Sequence, residues 1–326
     1  MVGMLVVPGG GGAAVVGATR GVWVRMGILA LLWGSGFLWI KIALTGLAPV
    51  QITFVRCVLG SAVLLVLART AGQRLPRGAA TWGRLIVAAL FCNALPFALF
   101  AIGEQTAASG LAGVLNATTA LWSLVVGIAI GTDRTFEPVR LGGLALGFAG
   151  VVLIFAPWHE HRLPGWGAFA LLGAAASYAV AFAYMGRKLV GRGTEPLALS
   201  AAQLLAATGL SALALPFGGF TAARVDAVAI GAVVVLGIVC TGITFFLHYR
   251  LIADVGATSA STVGYLLPVV SVALGAVVLG EALGLRVIAG MVVVLVGVAL
   301  TQWRRASGNP AAAPADKAVP AATTRP

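Results

Sequence analysis

Long apolar runs dominate the chain between residues 26 and 302, and polar positions gather in the short stretches between them. A helix that crosses a hydrocarbon core of about 30 Å needs roughly 20 mostly apolar residues. The runs are continuous, whereas the strands of a membrane barrel would alternate apolar and polar residues. The pattern therefore predicts an all-α integral membrane protein with ten transmembrane helices, at approximately 26–45, 49–70, 84–103, 110–131, 139–156, 165–186, 196–216, 226–251, 258–279 and 285–302.

Both ends of the chain lie outside this pattern. Residues 1–25 contain Pro8 and a glycine run and lack the basic start of a signal peptide, so we expect a disordered extension. Residues 303–326 are rich in Ala and Pro, and such a segment cannot bury enough apolar surface to become ordered. We expect a disordered cytoplasmic tail there.

Composition supports a membrane protein and excludes a soluble domain. The chain is 60% hydrophobic and 9% charged, against about 25% charged in typical soluble domains. A net charge of +12 could suggest nucleic acid, but the basic residues flank apolar segments and form no stripe on a soluble surface. The expected partners are therefore the lipid bilayer and a small-molecule substrate, and no nucleic acid.

The distribution of Lys and Arg predicts the orientation of the chain. With both termini on one side, sixteen of the 21 basic residues fall on that side, and Arg56 lies within the second helix. The other side receives four, namely Lys41, Arg162, Arg224 and Arg286. Because basic residues are retained in the cytoplasm, we expect a multi-pass plasma-membrane protein with both termini cytoplasmic.

The chain contains an internal repeat. A shift of 148 residues superimposes Ser109–Asp133 on Ala257–Glu281 and matches Gly127 with Gly275 and Asp133 with Glu281. The helices that follow share one glycine spacing, at Gly143 and Gly150 and again at Gly290 and Gly297. The repeats are predicted at 26–156 and 165–302.

Five helices per repeat is an odd number, so the second repeat must cross the membrane with the opposite polarity. Inverted repeats of this kind give two arrangements of similar energy around a site near the midplane, which is the structural basis of alternating access. The repeat is the strongest indication of a transporter.

These residues resemble the drug/metabolite transporter superfamily, and in particular its EamA-type members with two five-helix repeats. The resemblance rests on Trp33-Gly34-Ser35, on Pro49 followed by Arg56, and on the stretch from Pro268 through Gly280-Glu281 to Gly297. It implies a cavity between helices three, four, eight and nine. The first repeat departs from the pattern, with Ala120 at the position of Pro268 and Asp133 where Glu is usual.

Arg56 is predicted about two turns inside the second helix, and a charged group at such a position is costly and needs a reason. It could attract an anionic or carboxylate-bearing part of a substrate. The alternative interpretation is that Arg56 extends outward along the helix or pairs with Glu104.

Neutral side chains are the other candidates for substrate contact, because pockets are mostly apolar with a few placed polar groups. They are Asn93, Asn116, Trp122, Tyr178 and Tyr265. Asn93 and Asn116 could instead form hydrogen bonds between helices, and Tyr178 could be an interfacial aromatic residue.

Four polar residues at predicted helix ends are candidates for gating, namely Lys41, Glu104, His248 and Glu281. Interfacial or structural roles stay open for Lys41 and His248. All nine acidic residues fall at helix ends, in loops or in the tail, so the sequence offers no carboxylate at the midplane for a proton relay.

The function predicted from the sequence is secondary transport, with export of amino-acid-like metabolites or drug-like compounds. No GxxxxGK[ST] loop is present, and we expect no cofactor, no metal and no enzymatic activity. Two alternatives are a membrane-embedded enzyme acting on lipid and a membrane partner protein that transports nothing. A homodimer is compatible with the sequence.

Overall fold

A computed structural model describes residues 12–131, 138–155, 165–189, 193–219, 226–248, 250–251, 263–264, 266–282 and 284–302. Within these residues the chain is helical and contains no strand. Seven helices are long and apolar enough to cross a membrane, and three further apolar helices are shorter. The prediction of an all-helical membrane fold is confirmed.

The helices follow the predicted order, and α1 begins before its predicted start at residue 26. Proline occupies the first turn of α2, α7 and α9, where its missing N–H costs no helical hydrogen bond. The helices are α1 (Gly12–Ala43), α2 (Pro49–Thr70), α3 (Ala79–Gly103), α4 (Ser109–Ala129), α5 (Pro138–Phe155), α6 (Trp166–Lys188), α7 (Pro196–Ala214), α8 (Ala227–His248), α9 (Leu267–Leu279) and α10 (Leu285–Gln302).

Two of these helices contain a π-helical turn. In α3 it covers Leu90–Ala94, and in α8 it covers Ile238–Ile243. The 148-residue shift of the repeat places the first turn on the second, with Cys92 on Cys240. π-turns are rare in proteins, and those that occur are often at functional sites. Their occurrence at equivalent positions therefore indicates the middle of α3 and of α8 as a candidate functional region.

Helices α2 and α7 form an antiparallel pair that is joined at both ends. At one end Gln51 Nε2 donates to the carbonyl of Gly219 (2.9 Å), and at the other Ala198 N donates to Gln73 Oε1 (3.1 Å). Between them Thr208 Oγ1 lies 3.4 Å from the Oγ of Ser61. The first residues of α2 and α7, Pro49 and Pro196, are 147 positions apart, and the same shift makes Ser61 equivalent to Thr208. Equivalent residues in contact lie next to a pseudo-twofold axis.

Helices α5 and α10 form a second antiparallel pair, and here the backbones touch. A Cβ on Gly150 would lie 2.9 Å from the carbonyl oxygen of Gly290, and a Cβ on Gly297 would lie 2.7 Å from that of Gly143. A shift of 147 residues converts the first contact into the second. The glycine spacing that indicated the repeat therefore builds a symmetric helix interface.

Further contacts also cross between the repeats. Helix α1 packs on α8 and α9, and α6 packs on α3 and α4. Gly34 of α1 approaches Val270 of α9 closely, and Gly103 of α3 approaches Leu171 of α6. The two repeats are thus interleaved, and each completes the core of the other.

Candidate functional site

The Arg56 guanidinium lies at the centre of the helix bundle. Its Nε donates to Thr241 Oγ1 (2.8 Å), and its Cζ stands 3.7 Å from the centre of the Phe97 ring. Thr241 belongs to the π-turn of α8, and its hydroxyl in turn donates to the carbonyl of Leu236 (2.9 Å). Arg56 as a whole is partly buried.

Asn93 holds the corresponding place in the π-turn of α3. Its side chain is fully buried, and Gln203 Nε2 of α7 donates to its Oδ1 (2.7 Å). The amide nitrogen Nδ2 of Asn93 is buried without a hydrogen-bond partner. A buried unpaired donor costs free energy, which a ligand with an acceptor oxygen would recover.

The two polar pairs are equivalent under the internal repeat. A shift of 147 residues places Arg56 on Gln203, and a shift of 148 residues places Asn93 on Thr241. In each pair, a residue in the second helix of one repeat bonds a π-turn residue in the third helix of the other. The two sides of the centre share one architecture, and only the Arg56 side carries a charge.

A series of aromatic contacts joins α1, α3 and α6. The rings of Phe37 and Phe100 are 5.4 Å apart at their centres, those of Phe100 and Tyr178 are 6.0 Å apart, and those of Tyr178 and Phe182 stack at 5.9 Å. Tyr178 lies within electrostatic range of Arg56. The ring of Tyr178 is thus linked to α3 through Phe100.

Lys41 closes one end of the bundle. Its Nζ donates to the carbonyl oxygens of Glu104 (2.6 Å) and Ala107 (2.8 Å), which joins α1 to the turn between α3 and α4. A lysine at this position satisfies the unpaired carbonyls at the end of a helix and complements its dipole.

Glu104 follows the last residue of α3, and its side chain is fully buried. Neither carboxyl oxygen has a hydrogen-bond partner, and burial raises the pKa of Glu104 well above its ordinary value, against the opposing effect of Lys41. The sequence correctly predicts a helix-end position for Glu104 but gives no sign of its burial.

Glu281 caps α4 at the same end of the bundle. Its Oε1 accepts from Ser109 N (2.8 Å), and its Oε2 accepts from Ser109 Oγ (3.0 Å) and Gly110 N (3.1 Å). Gly280, with φ of +64°, ends α9 in the left-handed region and turns Glu281 toward α4. Since α4 supplies no side-chain cap of its own, Glu281 satisfies its first N–H groups from another helix.

The other predicted site residues do not join this centre through any contact within the described residues. Trp122 packs edge-on against Phe148 of α5 at 5.2 Å, and its indole N–H is buried without a partner. Asn116 is partly buried in α4, two residues before the helix is interrupted at Thr118. Tyr265 lies outside the described residues.

His248 lies at the last turn of α8, where its ring contacts Trp33 of α1 with 4.9 Å between the ring centres. Trp33 also meets Phe245 edge-on at 6.5 Å. These contacts pack α1 against the end of α8.

An apolar cavity of about 280 Å³ lies beside the π-turn of α8. Its walls come from α1, α8 and α9 and include Leu31, Leu38, Trp39, Val239 and Leu274. Ser35 and Cys240, whose Oγ and Sγ are 3.6 Å apart, are its polar lining. Its mostly apolar lining suits an apolar group.

Sequence reasoning missed Gln203 and Thr241, although both were within its reach. The repeat aligns Gln203 with Arg56 and Thr241 with Asn93. Both are polar residues in the middle of an apolar helix, and each is equivalent to a candidate site residue. This combination could have identified them from the sequence.

Comparison with known proteins gives a family match and a structural match. The model of the EamA-like transporter family matches the chain twice, at residues 22–156 and 165–303. A solved crystal structure has the same fold, with a TM-score of 0.61 at 20% identity over 87% of this chain and 98% of that one.

Several relatives carry transporter names. The uncharacterized transporter YvbV of Bacillus subtilis is 23% identical over 88% of this chain and 93% of its own length. The uncharacterized inner membrane transporter YedA of Escherichia coli K12 is 28% identical over 78% of this chain and 82% of its own. An uncharacterized protein of Pseudomonas aeruginosa is 31% identical over 78% of this chain and 85% of its own.

Proposed function

We propose that this chain, which belongs to the EamA-like transporter family, transports small organic solutes by alternating access between its two repeats. The observation that supports this mechanism best is the equivalence of the Arg56–Thr241 and Gln203–Asn93 pairs. Each pair joins one repeat to the other at a π-turn, so a change in the relative position of the repeats alters both pairs together.

The proposal includes ten membrane crossings with both termini in the cytoplasm of the cell that makes the protein. The seven long helices and the three shorter ones supply the crossings. The excess of Lys and Arg on one side supports this orientation. A relative named as an inner membrane transporter is consistent with the plasma membrane.

In our proposal, the hydrogen bonds of Lys41 and Glu281 close one end of the bundle in the state described here. Lys41 joins α1 to the α3–α4 turn, and Glu281 joins α9 to α4. In our proposal this end faces outward and opens when both links break. The repeat aligns Asp133 with Glu281, and Asp133 lies outside the described residues.

The substrate that fits the centre best is a small carboxylate-bearing metabolite with an apolar part, such as an amino acid. The terminal N–H groups of Arg56 suit a carboxylate in bidentate geometry, and the unpaired Asn93 Nδ2 offers one more donor. The rings of Phe97, Phe100 and Tyr178 provide an apolar wall beside them.

Export follows from the gradient in this proposal. Inverted repeats present the site to both sides, so the net flux runs down the gradient of the solute and its coupling ion. For a metabolite that accumulates inside the cell the flux is outward.

A proteoliposome assay tests the proposal. Purified full-length chain would be reconstituted and supplied with a panel of labelled amino acids and monocarboxylates, and counterflow uptake would be recorded. We expect uptake of at least one solute, and a loss of 10-fold or more in Arg56→Gln, because a charge-assisted hydrogen bond is worth about 1.5–3 kcal/mol. Arg286→Gln, which removes an exposed charge at the start of α10, is the matched control.

The outcomes separate the two parts of the proposal. A folded protein that moves no member of the panel argues against transport of this substrate class. Transport that survives Arg56→Gln as well as Arg286→Gln removes Arg56 from the site but leaves the transporter.

A further inference from the structure

A second cavity lies where α2 ends and the chain turns back into α3. Its volume is about 370 Å³, and we call it the arginine pocket. Its lining combines three arginines with apolar side chains, and includes Arg69, Arg74, Arg77, Leu65, Leu75 and Pro76. The pocket lies at the opposite end of α2 from Gln51, and its first lining residue, Leu65, is nine positions after Arg56 in the same helix. The proposed transport mechanism does not use the pocket.

The three arginines of the pocket are not neutralised by protein groups. Within the described residues, none of them forms an ion pair or a side-chain hydrogen bond, and all three are exposed. Residues 71–78 contain no acidic residue. Three guanidinium groups around one cavity repel each other, and an anion placed between them relieves that repulsion.

The loop that presents these arginines is held in place. Gln73 Oε1 accepts from Ala198 N at the start of α7 (3.1 Å), and Gln73 N donates to the carbonyl of Ala68 (2.9 Å). Trp82 Nε1 donates to the carbonyl of Pro76 (3.1 Å). The pocket is therefore preformed, and a ligand does not have to order the loop.

The position of the pocket selects the kind of anion. It lies between the end of α2 and the start of α3. The proposed orientation, on which this inference rests, puts these helix ends at the cytoplasmic membrane surface, where lipid headgroups lie. Leu65 and Leu75 form an apolar wall, and Val66 is 59% exposed on the adjoining surface of α2. A ligand that combines a phosphate with an acyl chain matches this lining, whereas a free phosphate would use only the arginines.

We propose that the arginine pocket binds the phosphate of an anionic phospholipid headgroup, with an acyl chain along the exposed surface of α2. Basic pockets between transmembrane helices on the cytoplasmic side are suited to such headgroups. The lipid would connect α2 to α7 through the loop that contains Gln73, and would thereby stabilise the central helix pair from its cytoplasmic end.

Lipid titration followed by native mass spectrometry tests the proposal on the full chain in detergent. The probes are phosphatidylglycerol, phosphatidylcholine and inorganic phosphate. We expect phosphatidylglycerol to bind and phosphatidylcholine not to. The variant Arg74→Gln/Arg77→Gln should bind phosphatidylglycerol about 30-fold more weakly, because each basic residue near the membrane surface contributes roughly 5-fold.

The matched control is Lys188→Gln/Arg250→Gln, which removes two exposed charges from the ends of α6 and α8 on the same side. We expect this variant to bind phosphatidylglycerol like the parent chain. Equal weakening in both variants would show attraction by overall charge and would overturn the proposal. Displacement of the lipid by millimolar inorganic phosphate would make the pocket a phosphate site, and would also overturn it. Size-exclusion profiles show whether the pocket variant folds; if it does not, Arg69→Gln replaces it, with an expected weakening of about 5-fold.

Discussion

The glycine contact between α5 and α10 permits a sharp test of the internal symmetry. Alanine at Gly297 would place its Cβ 2.5 Å from the Cα of Gly147, and alanine at Gly150 would place its Cβ 2.7 Å from the backbone N of Val294. Gly150 and Gly297 are equivalent under the 147-residue shift. Gly142, also on α5, has nothing within 4 Å of its added Cβ. Gly142→Ala is therefore a control with the same chemical change.

The size of the effect follows from these distances. Carbon atoms in contact stand about 3.5–4.0 Å apart, so the helices must separate by roughly 1 Å, and a backbone cannot rotate away as a side chain can. Overpacking of this kind costs about 1–3 kcal/mol. Replacing glycine by alanine in a helix returns up to about 1 kcal/mol. We expect a net loss of about 0–2 kcal/mol in Gly150→Ala and Gly297→Ala, and a gain of up to about 1 kcal/mol in Gly142→Ala. The two contact variants should therefore be about 1–3 kcal/mol less stable than Gly142→Ala.

Thermal denaturation in detergent, followed by size-exclusion chromatography, measures this difference. A loss of 1 kcal/mol lowers the Tm of a domain of 150–250 residues by about 2–4 °C. The two contact variants should therefore melt several degrees below Gly142→Ala and within a degree or two of each other. A Gly150→Ala protein as stable as Gly142→Ala would refute the backbone contact. A large difference between Gly150→Ala and Gly297→Ala would refute the symmetry.

Three further substitutions address the polar contacts. Glu281→Gln removes the charge that caps α4 at Ser109, and we expect a loss of about 1–2 kcal/mol, read as a lower melting temperature. Burial raises the pKa of Glu104 above its ordinary 4.5, so the parent chain should lose stability as the pH rises from 4.5 through the folded-state pKa. Glu104→Gln should flatten this pH dependence, and melting curves at pH 5 and pH 8 measure it. Thr241→Val removes the acceptor of Arg56 Nε, and should raise the KM of counterflow severalfold while the protein stays folded.

Much of the fold could be predicted because membrane helices follow from local composition. The predicted limits of the second helix, 49–70, coincide with Pro49–Thr70. The interruptions could not be predicted in the same way. A π-turn at Leu90–Ala94 has the same composition as an α-helical turn, and its formation depends on contacts with other helices, such as the hydrogen bond from Ser177 Oγ to the carbonyl of Phe91 (2.7 Å).

The site was predictable only in part, for a related reason. Arg56 and Asn93 stood out because polar groups are rare in apolar helices, and the structure gives each of them a partner from the other repeat. Glu104 did not stand out, because its burial is produced by neighbouring helices and leaves no trace in its own segment. Their partners, Thr241 and Gln203, could have been predicted only by aligning the two repeats residue by residue.

The cap that Glu281 places on α4 has a consequence for the synthesis of the protein. The N–H of Ser109 cannot be capped until Glu281, 172 positions further along the chain, has been synthesised. At about 5–20 residues per second, the interval is roughly 10–30 seconds. During that time the start of α4 is uncapped in the membrane, and α5 lacks the partner that covers its glycines. The first five helices therefore cannot mature while the ribosome completes the second five, and a chain truncated after residue 160 should be removed by quality control.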